Sequence, residues 1–211
     1  MSMIASVLQL DRRDIRALRI TDPYSVHRVV YSLYPDVRTE ADKATSESSG
    51  ILFADQGGDA LCRRILMLSD REPTPNVDGK YGMVRSKPVP STFLTHPSYR
   101  FNVIVNPTRR NSATKKLIPV KGREAIRQWF CQRAIESWGF KILPDHLDVG
   151  SVDVLQFTDK RQQPVTLAQA HVSGRLLVTD SLKFKNSFEL GIGRGRAFGC
   201  GLLQIVPITT H

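Results

Sequence analysis

Two stretches of helical periodicity punctuate this chain, and each stands among short apolar runs of β character. The first, residues 23–34, opens at Asp22-Pro23 and stops at Pro35. Asp22 is a good N-cap, and proline suits the first helical position. The second helix, residues 123–138, closes at Gly139. Residues 4–10 read as a strand before the first helix, and residues 51–54 and 62–68 as two strands after it. Residues 83–89 read as an edge strand, because Pro88 and Pro90 bar a central one. The second half repeats the pattern. A strand at 99–105 leads through a basic loop at 108–121 into the helix, and strands follow near 140–143, 152–157 and 172–178. A short helix at 181–190 and a last strand at 202–206 complete it. This order predicts an α+β protein of two tandem ferredoxin-like βαββαβ domains, residues 1–93 and 97–211. The last strand is expected inside its sheet. The polar stretches 40–50 and 158–164 are expected to be mobile loops.

Charge narrows the function. The 211 residues carry a net charge of +10, unevenly placed. Residues 1–96 hold 13 Lys/Arg against 12 Asp/Glu, whereas residues 97–211 hold 17 against 8. Residues 100–123 hold seven basic residues and no acid. Such a one-sided field implies a polyanionic partner; the alternative is a solvated basic surface. No apolar run approaches the roughly 20 residues of a membrane-spanning helix. The N-terminus lacks the basic region of a signal peptide, so no membrane partner is expected. Cys62, Cys131 and Cys200 are widely spaced and odd in number, which suits a reducing cytoplasm. The five histidines pair with no cysteine at zinc spacing, so neither a metal nor another cofactor is expected.

The stretch GIGRGRAFGCGLL, residues 191–203, places glycine at 191, 193, 195, 199 and 201. It fits neither nucleotide-loop spacing: Arg196 and Phe198 stand where G-x-G-x-x-G needs glycine, and Gly-Lys-Ser/Thr is absent. It also runs from a helix to a strand, the reverse of a dinucleotide loop. The plain reading of Gly191, Gly193, Gly195, Gly199 and Gly201 is a close-packed connector. Arg194 and Arg196, set between the glycines, favour a cradle for phosphate built from backbone N–H groups and guanidinium.

On a wheel of ~100° per residue the first helix separates two faces. Val26, Val29, Val30 and Leu33 form one, the core face. Tyr24, His27, Arg28, Tyr31 and Tyr34 form the other. A lone histidine would read as a surface residue, with the tyrosines as packing. Here it shares a face with phenols and a guanidinium, which suits acid/base work on a phosphodiester near neutral pH.

Together these residues resemble a known family. DPYSVHR on the first helix, RFNVIVNPTRR on a mid-chain strand and GIGRGRAFGCGLLQIVP at the end are similar to the CRISPR RNA-processing endoribonuclease CasE of type I-E systems. The resemblance implies two RRM-like domains. It implies a repeat RNA hairpin as substrate, cut at the 3′ base of its stem without metal, and an enzyme that stays with its product among the other Cascade subunits. By residue it implies a catalytic role for His27, with Tyr24 three residues before it, and a basic position at Arg28. Arg109 and Arg110 fall on the basic end of the mid-chain motif, and Arg196 on a basic position of the glycine loop. Lys115, Lys116, Lys160 and Arg161 are candidate RNA contacts by charge alone. The competing classes are an RNA-binding module that does not cleave and a metal nuclease. The first lacks its usual RNP motif on a strand, and the second lacks clustered carboxylates.

Overall fold

A computed structural model of the chain describes residues 3–35, 49–58, 62–159 and 162–209. Lys160 and Arg161, and all of the 40–50 stretch but Ser49 and Gly50, therefore lie outside the described residues. Two compact units form. One comprises Met1–Pro90 with Ala197–Gly199, the other Ser91–Arg196 with Cys200–His211. The division falls after Pro90, and three residues of the glycine loop fold with the first unit, whereas the sequence assigns the whole loop to the second domain.

The first unit is a four-stranded antiparallel sheet with one principal helix. Its strands are β1 (Ile4–Asp11), β2 (Ile51–Gly58), β3 (Cys62–Ser69) and β4 (Met83–Pro88), in the order β2-β3-β1-β4. That is the ferredoxin-like order, with β4 at an edge, where Pro88 at its end is tolerated. A short helix, α1 (Arg12–Ala17), escapes the sequence reading because it buries no residue and has no apolar period. It exists through its cap: Asp11 accepts hydrogen bonds from the backbone N–H groups of Arg13 and Asp14. Helix α2 (Pro23–Ser32) has the expected cap and core face. Val26, Val29 and Val30 are buried against Leu8, Leu10, Phe53 and Ile65 of the sheet. Each such side chain contributes about 1.5–3 kcal/mol of burial. Among the described residues no helix joins β3 to β4. Pro73, Pro75 and Gly79 cannot sustain one, and the connection is a run of turns around buried Val77.

The second unit repeats the order with both helices present. Strands β5 (Ser98–Val105), β8 (Phe140–Thr158), β9 (Pro164–Val178) and β10 (Gln204–Pro207) lie in the order β10-β5-β9-β8. Helix α3 (Arg123–Arg133) passes into a π turn, Ala134–Trp138, and ends at Gly139; α4 (Ser181–Leu190) precedes the glycine loop. Phe101 of β5 stacks on Phe130 of α3 with centroids 5.6 Å apart. Phe140, Trp138 and Phe184 close the same core.

Three expectations are corrected here. The strands read at 140–143 and 152–157 are one strand of 19 residues, bent at two register shifts. Bulges let one strand absorb residues that look like breaks in sequence. The last strand lies at the sheet edge, paired with β5, and not inside the sheet. The basic loop 108–121 holds a hairpin, β6 (Thr108–Arg110) with β7 (Leu117–Pro119), whose turn is fixed by Asn111 accepting from Ala113 N and Thr114 N. Among the described residues no helix is long and apolar enough to cross a membrane.

Candidate active site

The site on the first unit begins with a helix cap. Asp22 accepts a hydrogen bond from Ser25 N at 2.7 Å, and Ser25 Oγ accepts from Thr21 N and Asp22 N. Such a cap is worth about 1 kcal/mol, and it fixes where α2 starts. The valine stripe then fixes its rotation. Together they set Tyr24, His27 and Tyr31 on successive turns along one side of α2, with Tyr31 packed in part against the core.

His27 is half-buried among rings. Its centroid lies 4.1 Å from Tyr31, 6.0 Å from Tyr24 and 5.9 Å from Phe198. Nδ1 of His27 lies 2.8 Å from the carbonyl oxygen of Ala197, which folds as part of the same unit. A carbonyl oxygen only accepts, so Nδ1 must carry the proton and donate it. In the neutral ring the lone pair then sits on Nε2. Neither Ala197 nor Phe198 was singled out from sequence. A backbone carbonyl leaves no sequence signal, and Phe198 reads there only as a residue that spoils glycine spacing.

The other members of the predicted face separate. Tyr31 keeps its place, with Oη 2.9 Å from Ser49 Oγ. Arg28 is exposed and donates to the carbonyl of Leu18 at 3.0 Å, tying α2 to the end of α1. Tyr34 does not share the face: it is buried, and its hydroxyl points to the sulfur of Met67. The wheel holds only while the helix continues, and α2 ends at Ser32. Burial pushes the Tyr34 phenol up from its ordinary range, which suits a core residue and not an acid/base one.

The glycine loop is backbone-driven. Gly191, Gly193, Gly195, Gly199 and Gly201 all have positive φ. A Cβ at Gly201 would stand 2.4 Å from the carbonyl oxygen of Ile192, the group whose residue closes the loop by donating its N–H to Gly201 O. Gly193 has open space around it, so its φ of +70° alone demands glycine. Arg194 is exposed and pairs by a β-bridge with Asn106. Arg196 gives one guanidinium N–H to Leu190 O at 2.7 Å, where it also closes the end of α4. Cys200 is fully buried, and burial pushes its thiol up to about 12, so it stays a neutral packing residue.

A cleft of about 560 Å³ runs along the second unit between the β6–β7 hairpin, α3 and the glycine loop. It brings Arg109, Arg110 and Arg194 together with Trp129 and Arg133. Trp129 is held by a bond from its indole N–H to Thr108 O. Arg133 lies at the end of α3 and has no separate signal in the sequence. Lys115 and Lys116 are exposed in the hairpin turn, outside the cleft lining. Among the described residues no three His, Cys, Asp or Glu side chains come together to hold a metal ion.

Comparison with known proteins covers nearly the whole chain. A family model described as CRISPR associated protein matches residues 3–207. The CRISPR-associated endoribonuclease Cse3 of Thermus thermophilus is 30% identical over 118 residues, 51% of this chain and 55% of that protein. The match thus spans about half the length of that curated relative. The structure of Thermus thermophilus Cse3 bound to an RNA representing a pre-cleavage complex superposes with a TM-score of 0.77 at 22% identity, covering 98% of this chain and 100% of that one. A chain of a CRISPR RNA-guided surveillance complex superposes with a TM-score of 0.63 at 19% identity, covering 97% and 100%. At these identities the structural likenesses establish the fold.

Proposed function

This chain belongs to the CRISPR associated protein family, matched from residue 3 to residue 207, and from that premise we propose that it is an endoribonuclease acting on CRISPR repeat RNA. It cuts the repeat at the 3′ base of its hairpin, in the cytoplasm, and stays with the product as one subunit of a larger RNA-guided complex. The first unit supplies the chemistry, and the basic second unit supplies most of the binding.

The observation that carries this reading is the bond between His27 Nδ1 and Ala197 O, which sets the tautomer of a histidine lying beside Tyr24. A fixed Nδ1–H leaves Nε2 as the proton-transfer atom. The nucleophile belongs to the RNA itself: the 2′-OH loses its proton and its oxygen attacks the adjacent phosphorus. The bond from phosphorus to the 5′-oxygen breaks, and that oxygen takes a proton. The products are a 2′,3′-cyclic phosphate and a 5′-OH. His27 Nε2 takes one of these protons or gives the other, and the Tyr24 hydroxyl positions the phosphate. Arg109, Arg110 and Arg194 neutralise the backbone of the stem, and the N–H groups of the glycine loop approach phosphate where no Cβ intervenes.

The test is incubation with a repeat hairpin in EDTA, with analysis of the product ends. Cleavage to a cyclic phosphate is expected to persist in EDTA and to disappear when the nucleotide 5′ of the cut lacks its 2′-OH. Normal cutting of that deoxy substrate would sink the mechanism.

A further inference from the structure

A second hollow of about 680 Å³ lies on the second unit, on the α4 side of the glycine loop. Four cations line it: Arg133, Lys183, Arg194 and Arg196. No carboxylate stands among its described lining residues. The cleft beside the hairpin includes Glu136, and the hollow between α1 and α2 on the first unit sets Asp78 among Arg19, Arg28 and Lys80. The α4 hollow has no such relief. Its charges arrive from three separate elements: the end of α3, the first turn of α4 and the loop. Arg196 is oriented by its bond to Leu190 O. Lys183 reaches Asp180 only at 3.5 Å, with both side chains about half exposed, an ion pair worth little. Like charges gathered without a counter-charge repel, and an anion among them removes that cost.

We propose that this hollow binds backbone phosphates of the RNA strand, continuing the track that Arg109 and Arg110 begin. This rests on the RNA-processing reading above. Arg133, Gly193 and Arg194 line both hollows, so a strand crossing the loop passes from one to the other. Arg133 and Lys183 are the new contacts, each supplying charge to phosphate and no base reading.

The experiment measures hairpin binding against salt in a His27→Ala background, so that turnover does not interfere. The Arg133→Gln/Lys183→Gln double variant should lose about tenfold in affinity. Its salt slope should fall by roughly 1.4–1.8, at 0.7–0.9 for each phosphate contact. Lys185→Gln, on the same helix but outside the hollow, should change neither. If the double variant melts early, Lys183→Gln alone carries the test at half the slope change. A variant that binds RNA with the slope of the His27→Ala parent overturns the inference while leaving the RNA-processing reading intact. A parent that binds no RNA overturns both. Inorganic phosphate that shifts the NMR signals of Lys183 and Arg133, with RNA affinity unchanged in the double variant, marks a small-anion site and also overturns it.

Discussion

The proton of the His27 ring is placed before any substrate arrives, because Ala197 O accepts at Nδ1. Removing the ring should therefore cost chemistry and not binding. His27→Ala is expected to lower the single-turnover cleavage rate at least about a hundredfold, the usual scale of one general acid or base, with hairpin affinity nearly unchanged. Full activity in that variant would move the active site elsewhere. Cys200 makes the opposite case of a residue that only packs. Its thiol is raised from the ordinary 9.0 to about 12 by burial. The unfolded chain ionises this thiol near 9 and the folded chain does not, so its contribution to stability is complete below pH 9 and fades as pH rises toward 12. Thiol reagents at pH 8 should leave Cys200 unmodified until denaturant is added, as peptide mapping would show. At this scale the sequence made His27, Tyr24 and Tyr31 legible through periodicity. Tyr34 was misplaced because the wheel was carried two residues past the end of α2. The carbonyl that orients His27 was invisible, because every residue has one.

The glycine loop joins two requirements that substitutions should separate. Gly193 holds a φ of +70° with no neighbour in reach of a Cβ. Gly193→Val should lower the melting temperature through backbone strain of about 1–3 kcal/mol, since a β-branched residue resists that conformation. Arg196→Ala should lower hairpin affinity or cleavage about tenfold, one charge-assisted hydrogen bond. It also loses the bond to Leu190 O, so a stability loss of about 1 kcal/mol accompanies it. Parent-like binding and cutting by Arg196→Ala would make the loop a structural connector. Element boundaries were legible where a cap or proline marks them, as at Asp22 and Gly139. They were not where a bulge carries β8 through apparent breaks, or where α1 stands on a cap without an apolar stripe. The β6–β7 hairpin was hidden because its strands have three residues each, too few to show alternation.

For the molecule as a whole, the charge count points to a polyanionic partner for the second half, and the structure concentrates Arg109 and Arg110 on one cleft there. Replacing Arg109, Arg110, Lys115 and Lys116 with alanine should weaken binding to all hairpins alike and flatten the salt dependence. Each lost phosphate contact lowers the slope by roughly 0.7–0.9. Because Lys115 and Lys116 lie outside the cleft, the arginine pair alone should account for most of the change. An unchanged slope would place the hairpin against solvent or a neighbouring subunit. The tandem ferredoxin-like order was legible from two capped helices among β-type runs. The discontinuity of the first unit was not, because three residues far along the chain complete it. That discontinuity sets how the protein can be divided. A polypeptide stopped at Pro90 would contain His27, Tyr24 and Tyr31 but not Ala197 or Phe198, and would lack the carbonyl that accepts at His27 Nδ1. The unit that carries His27 cannot be inherited, shuffled or expressed as a contiguous stretch of gene; the three codons of Ala197–Gly199 belong to it as much as those of Met1–Pro90.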